Sequence, residues 1–191
     1  APLDELCARA NAEKERLHGK SVYWVNNRQI NYTNVCVLHC KFCAFSKIKK
    51  DSPTAYDWDY DTIRNKAAEA IAGGARELHI VGGLHPDHPF DYYIEMLRKL
   101  RMEFPKANLK AFTAVEICHF AKISGQTPLQ IMTTLKEAGL DALPGGGAEI
   151  LVQSVRDQIC PGKETGEEWL DVHRAAHKIG IPTNATMLFG H

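Results

Sequence analysis

The alternation of short β-type runs with amphipathic helices constrains the fold of this chain more than any other feature of its sequence. The predicted strands, in chain order, are 22–25, 30–34, 77–81, 109–114, 142–143 and 183–189. Asn26 and Asn27 separate the first two runs and favour a turn between them. Because the later strands alternate with helices, the pattern predicts βαβ units and a parallel sheet.

Five helices with recognisable ends are predicted around these strands. Two of them cover 1–17 and 60–72, and the other three begin at Pro89, Thr127 and Thr165. The last two open with capping boxes, in which Gln130 and Glu168 stand three residues after the N-cap threonines. Apolar residues at helical spacing give each helix one face that can be buried against a sheet.

The loops that follow the predicted strands carry most of the residues suited to chemistry, and a site built from successive loops of this kind is typical of a β/α barrel. A doubly wound open sheet also satisfies the alternation, but the loops favour the barrel. About five barrel strands fit into the 191 residues, whereas a complete barrel takes roughly 250. We therefore predict an α/β fold in which residues 21–191 form the N-terminal part of a TIM-type β/α barrel, truncated at its C-terminal end, after an N-terminal helix at 1–20.

Three of the six cysteines, Cys36, Cys40 and Cys43, lie within eight residues at C-x3-C-x2-C spacing. Three thiolates at this spacing can hold a [4Fe-4S] cluster and leave one iron open for a ligand. A closed cluster or a structural zinc site would need a fourth ligand, for which His39 is the local alternative. The spacing favours the cluster and makes these cysteines the predicted metal ligands.

Cysteine placement and charge balance indicate the cellular compartment and the classes of partner expected for such a site. The other cysteines are scattered, and clustered cysteines without a secretory signal indicate metal ligands in a reducing cytoplasm rather than disulfides. The chain carries 23 basic and 23 acidic residues, which gives no indication of a nucleic-acid or membrane partner. No apolar run approaches the length of a membrane span.

Further candidates lie in the next loops. Gly82 and Gly83 follow the strand predicted at 77–81, where backbone without Cβ atoms allows a ligand to approach closely, although a tight βα turn would also explain them. His85 and Glu149 are candidates for catalysis, with an ordinary loop histidine as the alternative for His85. His79 is expected to be a core histidine with satisfied hydrogen bonds.

The segment Cys36-x-x-x-Cys40-x-Phe-Cys43, at the end of the first barrel strand, resembles the signature of the radical S-adenosylmethionine (SAM) superfamily. The resemblance implies that the open iron chelates SAM, whose sulfonium is cleaved to a 5′-deoxyadenosyl radical by an electron from a donor such as a flavodoxin or ferredoxin. It also implies that Gly82 and Gly83 bind the methionine amino group through their carbonyls. Glu116 is then expected to bind the ribose or the methionine ammonium.

Four further segments narrow this resemblance. The sequences Asn-Tyr-Thr-Asn-Val-Cys, His-Ile-Val-Gly-Gly-Leu-His-Pro, Lys-Ala-Phe-Thr-Ala-Val-Glu-Ile and Leu-Pro-Gly-Gly-Gly-Ala-Glu-Ile, which begin at residues 31, 79, 110 and 143, together resemble the aminofutalosine synthases. The resemblance extends over nearly the whole chain, from about Tyr23 onward.

The family resemblance implies a small-molecule reaction in menaquinone biosynthesis. The radical adds to 3-[(1-carboxyvinyl)oxy]benzoate, SAM is consumed as a co-substrate, and the product is 6-amino-6-deoxyfutalosine. Lys110 or one of several arginines is expected to receive the benzoate carboxylate. Because the cysteine and Gly-Gly-Leu-His-Pro motifs are shared with the dehypoxanthine futalosine cyclases and the deazaflavin-cofactor synthases, a cyclase or another related radical SAM enzyme is an alternative. A non-catalytic metal-binding module is a third.

Overall fold

The computed structural model describes residues 2–48 and 50–190 of the chain. Ala1 of the predicted N-terminal helix and His191 of the predicted barrel segment lie outside the described residues. The elements, in chain order, are α1 (Leu3–His18), β1 (Asn27–Ile30), α2 (Tyr60–Ala72), β2 (Glu77–Ile80), α3 (Phe90–Glu103), β3 (Asn108–Ala111), α4 (Ala114–Ser124), α5 (Pro128–Glu137), α6 (Gln153–Ile159) and α7 (Gly166–Lys178).

The strands form a parallel sheet in the order β1-β2-β3. Two isolated parallel bridges, Lys110 with Ala142 and Leu143 with Thr183, continue this order to a fourth and a fifth strand position. Helices follow the strands and cover one face of the sheet. The architecture is a partial TIM-type barrel with five strand positions, which confirms the predicted fold class.

The core lies between the sheet and the helices that cover it. Alternate strand residues point into this layer because successive side chains of a strand face opposite sides. They meet the apolar faces of α2, α3, α4, α5 and α7. Side chains at most 1 % exposed in this core include Ile30, Ile63, Leu78, Ile80, Leu97, Leu109, Ile117, Ile131, Leu135 and Val172.

The helices predicted from capping boxes and glycine stops are confirmed. Helix α2 has the predicted bounds, and both predicted capping boxes are formed, at the starts of α5 and α7. The predictions missed α4 and α6. The strand predicted at 109–114 is too long, because Thr113 and Glu116 form another capping box that starts α4 at Ala114.

The predicted strand at 22–25 and the predicted turn at Asn26–Asn27 are wrong. Strand β1 begins at Asn27, and the segment before it has no regular structure. The side chains of Val22, Tyr23 and Trp24 are more than three-quarters exposed, since this run lies beside no strand of the described chain. The run predicted at 183–189 contributes the single bridge at Thr183.

Helix α1 stands apart from the core. It forms as predicted and ends at Gly19, yet none of its described residues is buried. The division into an N-terminal helix and a barrel segment stays a prediction. None of the helices in the described part of the chain combines the length and the apolar character that a membrane span requires.

Candidate functional site

One cavity, of about 190 Å³, is lined by all three cysteines of the C-x3-C-x2-C segment. Its wall also includes the glycine edge at Gly82–Gly83 and the start of α4, and it is completed by Gly147, Glu149 and Lys163. These residues come from loops after successive strands, all at the carboxyl edge of the sheet. This is the edge at which β/α barrels build their sites.

The cysteine loop, residues 36–43, lies between β1 and α2 and is held by backbone hydrogen bonds. The Cys36 amide donates to the carbonyl of Lys47 at 3.0 Å, and the Lys41 amide donates to the carbonyl of Ile159 at 2.8 Å. The Leu38 amide points at Cys36 Sγ, 3.4 Å away. Amide donors to sulfur stabilise thiolate ligands and tune the potential of iron–sulfur clusters.

The donor set of the cavity fits an iron–sulfur cluster with one open position. Cys36 is buried and Cys40 and Cys43 are half-buried. Within the described ranges the wall holds no fourth thiol and no imidazole, and His39, the local zinc alternative, is exposed outside the wall. Cys118 and Cys160 are also outside it.

Burial governs the acidity of the central thiol. It raises the pKa of Cys40 to about 11, and the nearby ammonium of Lys163 opposes this shift. The thiol is therefore protonated at neutral pH, and binding of a metal would displace its proton.

The two glycines of the edge are required by close packing against residues 32–35, which lead into the cysteine loop. A Cβ atom on Gly83 would lie 2.2 Å from the carbonyl oxygen of Val35, and one on Gly82 would lie 2.6 Å from the ring of Tyr32. The Gly83 amide donates to the carbonyl of Thr33 at 2.9 Å. The absence of side chains thus lets the second loop pack directly on the first.

Glu116 links three loops from beneath the cavity. Oε1 accepts hydrogen bonds from the Tyr32 hydroxyl at 2.9 Å and the Gly82 amide at 3.1 Å. Oε2 accepts from the amide and hydroxyl of Thr113, at 2.7 and 2.9 Å. The side chain lines the cavity, but both of its oxygens are occupied by protein donors. Burial raises the pKa of Glu116 to about 7, although these hydrogen bonds lower it.

Glu149 and Lys163 form an ion pair in the wall. Glu149 Oε1 lies 2.7 Å from Lys163 Nζ, and both side chains are largely buried. Glu149 adopts a φ of 49°, a left-handed conformation that is costly for a residue with a Cβ and often occurs at functional sites. The sequence analysis does not identify Lys163 as a site residue, because nothing in its spacing from Glu149 indicates that the two side chains are neighbours.

A buried arginine supports the glycine loop, residues 145–149. Arg156 of α6, 1 % exposed, donates to the carbonyls of Gly147, Ala148 and Ile150, and it pairs with Glu164 at 3.2 Å. Sequence reasoning missed this support as well, since α6 is short and carries no capping box.

His85 lies beside the cavity and does not line its wall, whereas the neighbouring Leu84 does. Its ring is buried and stacks on His88, with the ring centroids 4.0 Å apart. Nδ1 accepts a hydrogen bond from the Asp87 amide at 3.2 Å. Of the two catalytic candidates, the structure brings Glu149 to the cysteines and leaves His85 behind Leu84.

Comparison with known proteins identifies a matching family. The sequence model of the Radical SAM superfamily matches residues 30–191. A crystal structure of methylornithine synthase superimposes with a TM-score of 0.72 at 15 % sequence identity, covering 98 % of this chain and 51 % of that one. At this identity the structural likeness supports the fold alone.

Three curated relatives align with nearly the whole chain. Aminodeoxyfutalosine synthase of Thermus thermophilus is 45 % identical, over 99 % of this chain and 50 % of its own length. A 5-amino-6-(D-ribitylamino)uracil–L-tyrosine 4-hydroxyphenyl transferase of Methanopyrus kandleri is 40 % identical, over 95 % of this chain and 49 % of its own length. Cyclic dehypoxanthine futalosine synthase of Streptomyces coelicolor is 38 % identical, over 100 % of this chain and 48 % of its own length. The chain thus spans about half the length of these relatives.

Proposed function

The chain belongs to the radical SAM superfamily, and on that premise we propose that it is the N-terminal part of an aminofutalosine synthase. The proposed reaction transfers the 5′-deoxyadenosyl group of SAM to 3-[(1-carboxyvinyl)oxy]benzoate. Methionine and carbon dioxide leave, and 6-amino-6-deoxyfutalosine forms. The identity of 45 % with the Thermus thermophilus synthase over almost the whole chain supports this choice of reaction.

The observation that carries the proposal is the cavity whose wall holds three thiols and, among the residues described, no fourth. We assign Cys36, Cys40 and Cys43 as the ligands of a [4Fe-4S] cluster. When bound, this cluster supplies the electron that splits the sulfonium of SAM. An electron donor such as a flavodoxin or ferredoxin belongs to the proposal.

The remaining wall residues are proposed to bind and orient the co-substrate. The carbonyls of Gly82 and Gly83 would accept hydrogen bonds from the methionine ammonium, and Glu116 would hold this edge in place by accepting from the Gly82 amide. Direct contact of Glu116 with the ribose or the ammonium requires one of its present hydrogen bonds to open. Glu149 and Lys163 offer a carboxylate and an ammonium beside the thiols, and Glu149 is the catalytic candidate we retain from the wall.

Two other functions have support in the comparisons. A dehypoxanthine futalosine cyclase is the first alternative, since the Streptomyces coelicolor relative matches the full chain. The second is a 4-hydroxyphenyl transfer reaction of the kind named for the Methanopyrus kandleri relative. A non-catalytic metal-binding module remains as an alternative from a different class.

A product assay on the complete protein separates these functions. The protein is reconstituted anaerobically with iron and sulfide, reduced, and incubated with SAM and the enolpyruvyl benzoate. A synthase forms an adduct that contains the adenosine moiety and the aromatic ring, which mass spectrometry detects. If 5′-deoxyadenosine is the sole nucleoside product, the synthase assignment is wrong. Stoichiometric zinc without the brown absorption of a cluster would favour the metal-binding module.

Cysteine variants test the ligand assignment separately. Cys36→Ala, Cys40→Ala and Cys43→Ala should each lose cluster iron and turnover. Cys118→Ala is the matched control, since this half-buried thiol lies outside the cavity wall. Full iron content in any of the three variants would contradict the assignment.

A further inference from the structure

The face of the sheet opposite the helices carries polar side chains. Leu78 and Ile80 of β2 point into the helix-covered core, so Glu77 and His79 point to the other side, which is the inside of the barrel. Lys110 of β3 shares this side, because Leu109 and Ala111 are core residues. Barrel interiors are usually filled by branched apolar residues. A polar interior here indicates a surface that serves a ligand.

Gln29, His79 and Lys110 form one row across the sheet. The strand register pairs Gln29 with His79 and His79 with Lys110. Side chains paired in this way on neighbouring strands are about 5 Å apart. Lys110 Nζ lies 3.6 Å from Glu77 Oε1, beyond hydrogen-bonding distance, and the Lys110 side chain is 17 % exposed. Throughout residues 2–48 and 50–190, neither Lys110 Nζ nor the His79 ring makes a hydrogen bond.

Three arginines that could compete with Lys110 for an anionic ligand are either engaged by protein acceptors or point away from the barrel interior. Arg156 is saturated by carbonyls and Glu164, and Arg101 binds Asp141 and the carbonyls of Pro105, Ala107 and Gly139. Arg28 points to the helix side, where it lies 3.7 Å from Glu69 of α2. Lys110 is thus a cation of the barrel interior whose donors have no hydrogen-bond partner within the described segments.

We propose that Lys110, with His79 beside it, is the binding site for an aryl carboxylate inside the barrel. Glu77 Oε1 lies 3.6 Å from Lys110 Nζ without accepting a hydrogen bond from it, and Asn27 Nδ2 donates to Glu77 Oε1 at 3.3 Å. The choice of ligand rests on the proposed function: this site would bind the ring carboxylate of the enolpyruvyl benzoate.

The position of the row matches the shape of that substrate. Thr113, which lines the cysteine cavity, follows Lys110 by three positions, so the row lies no more than about 10 Å below this part of the cavity wall. The reactive vinyl carbon must reach the cavity, where SAM would be held. The opposite end of the molecule, with the ring carboxylate, then points down the barrel toward Lys110.

The test compares charged and neutral ligands in the complete protein. Steady-state kinetics are measured for wild type, K110M and K110R with the enolpyruvyl benzoate and with its ring carboxamide analogue. K110M should raise KM for the acid about 10- to 100-fold, the loss expected when a charged hydrogen bond is removed. It should leave KM for SAM unchanged and abolish the preference for the acid over the amide. K110R should keep part of this preference.

K106M is the matched control, since Lys106 is exposed and precedes β3 on the same segment. Circular dichroism and the thermal midpoint verify that each variant folds. An acid-to-amide preference in K110M equal to that of wild type would overturn the site.

The proposed function can fail without deciding this inference. If wild type forms no adduct, calorimetric titration with 3-hydroxybenzoate and 3-hydroxybenzamide replaces the kinetics. A preference of wild type for the benzoate that K110M loses would support the site. Equal affinity of wild type for both compounds would overturn it.

Discussion

At the residue scale, the glycine edge illustrates how little space separates the second loop from the cysteines. We expect Gly83→Ala to destabilise the protein by about 1–3 kcal/mol, because the new methyl group would meet the backbone of Val35 rather than a movable side chain. The shifted loop should also weaken SAM binding. Denaturant unfolding and equilibrium titration with SAM measure the two effects.

Gly73→Ala is the matched control for this prediction. Gly73 has an ordinary φ of −76°, and a Cβ there would meet backbone oxygens at 3.4 Å, in van der Waals contact. The control should change the free energy of unfolding by no more than about 0.5 kcal/mol. Equal destabilisation by the two substitutions would show that the close approach at Gly83 does not matter.

Glu116 makes the stability of the fold depend on pH. Its pKa is raised from 4.5 to about 7 by burial, so between these values the folded protein keeps a proton that the unfolded chain has released. Stability should therefore fall as pH rises through this window, by up to about 1.4 kcal/mol per pH unit from this group. Below pH 4.5 both states are protonated, and above pH 7 both are ionised, so the contribution to the slope ends.

Glu116→Gln should remove this part of the pH dependence. The variant should also be less stable throughout, since an amide cannot accept hydrogen bonds at both of its terminal atoms and leaves donors of Thr113 or Gly82 unpaired. Unfolding midpoints measured from pH 4 to pH 8 test both statements. Parallel curves for wild type and variant would contradict the role of Glu116 as the titrating group.

At the scale of elements, α6 and α7 hold the glycine loop against the cavity. Arg156 binds the loop carbonyls from α6, and Trp169 Nε1 of α7 donates to the carbonyl of Gly146 at 3.1 Å. The turn that joins α6 to α7 carries Lys163. The position of Glu149 and Lys163 in the wall is therefore a property of this helix pair rather than of the loop alone.

Removing Arg156 should be costly because Glu164 would remain buried without its partner. Arg156→Leu is expected to destabilise by about 3–5 kcal/mol, whereas R156L/E164L should recover part of this loss. Chemical denaturation of R156L, E164L and the double variant gives the coupling energy between the two side chains. Arg174→Leu, which breaks exposed ion pairs with Glu167 and Asp171, is the control and should cost about 1 kcal/mol or less. Additive effects at positions 156 and 164 would contradict the buried pair.

At the scale of the whole molecule, α1 is separate from the packed core. Deleting residues 1–20 from the 191-residue chain should change the free energy of unfolding by no more than about 0.5 kcal/mol, because no described residue of α1 is buried. Leu97→Ala in α3 is the comparison, with an expected cost of about 2–5 kcal/mol. A large loss on deletion would contradict the proposed division at residue 20.

Local signals predicted those parts of the molecule that depend on neighbouring residues in the chain. Capping boxes located α5 and α7, and the spacing of three cysteines predicted ligands that the fold brings to one cavity. Thr113 and Glu116 carry the same kind of signal at the start of α4, whereas the family resemblance implies a ligand contact for Glu116. Apolar character alone did not distinguish the exposed run at 22–25 from a strand.

The sequence by itself determined the alternation of strands and helices, the cysteine motif and the family, because caps, periodicity and motif spacing are local properties of the chain. Only the tertiary structure placed Lys163 beside Glu149, Arg156 beneath the glycine loop and Lys110 inside the barrel. These positions follow from how strands align and helices pack across long stretches of chain. Such contacts join residues whose separation along the sequence carries no signal.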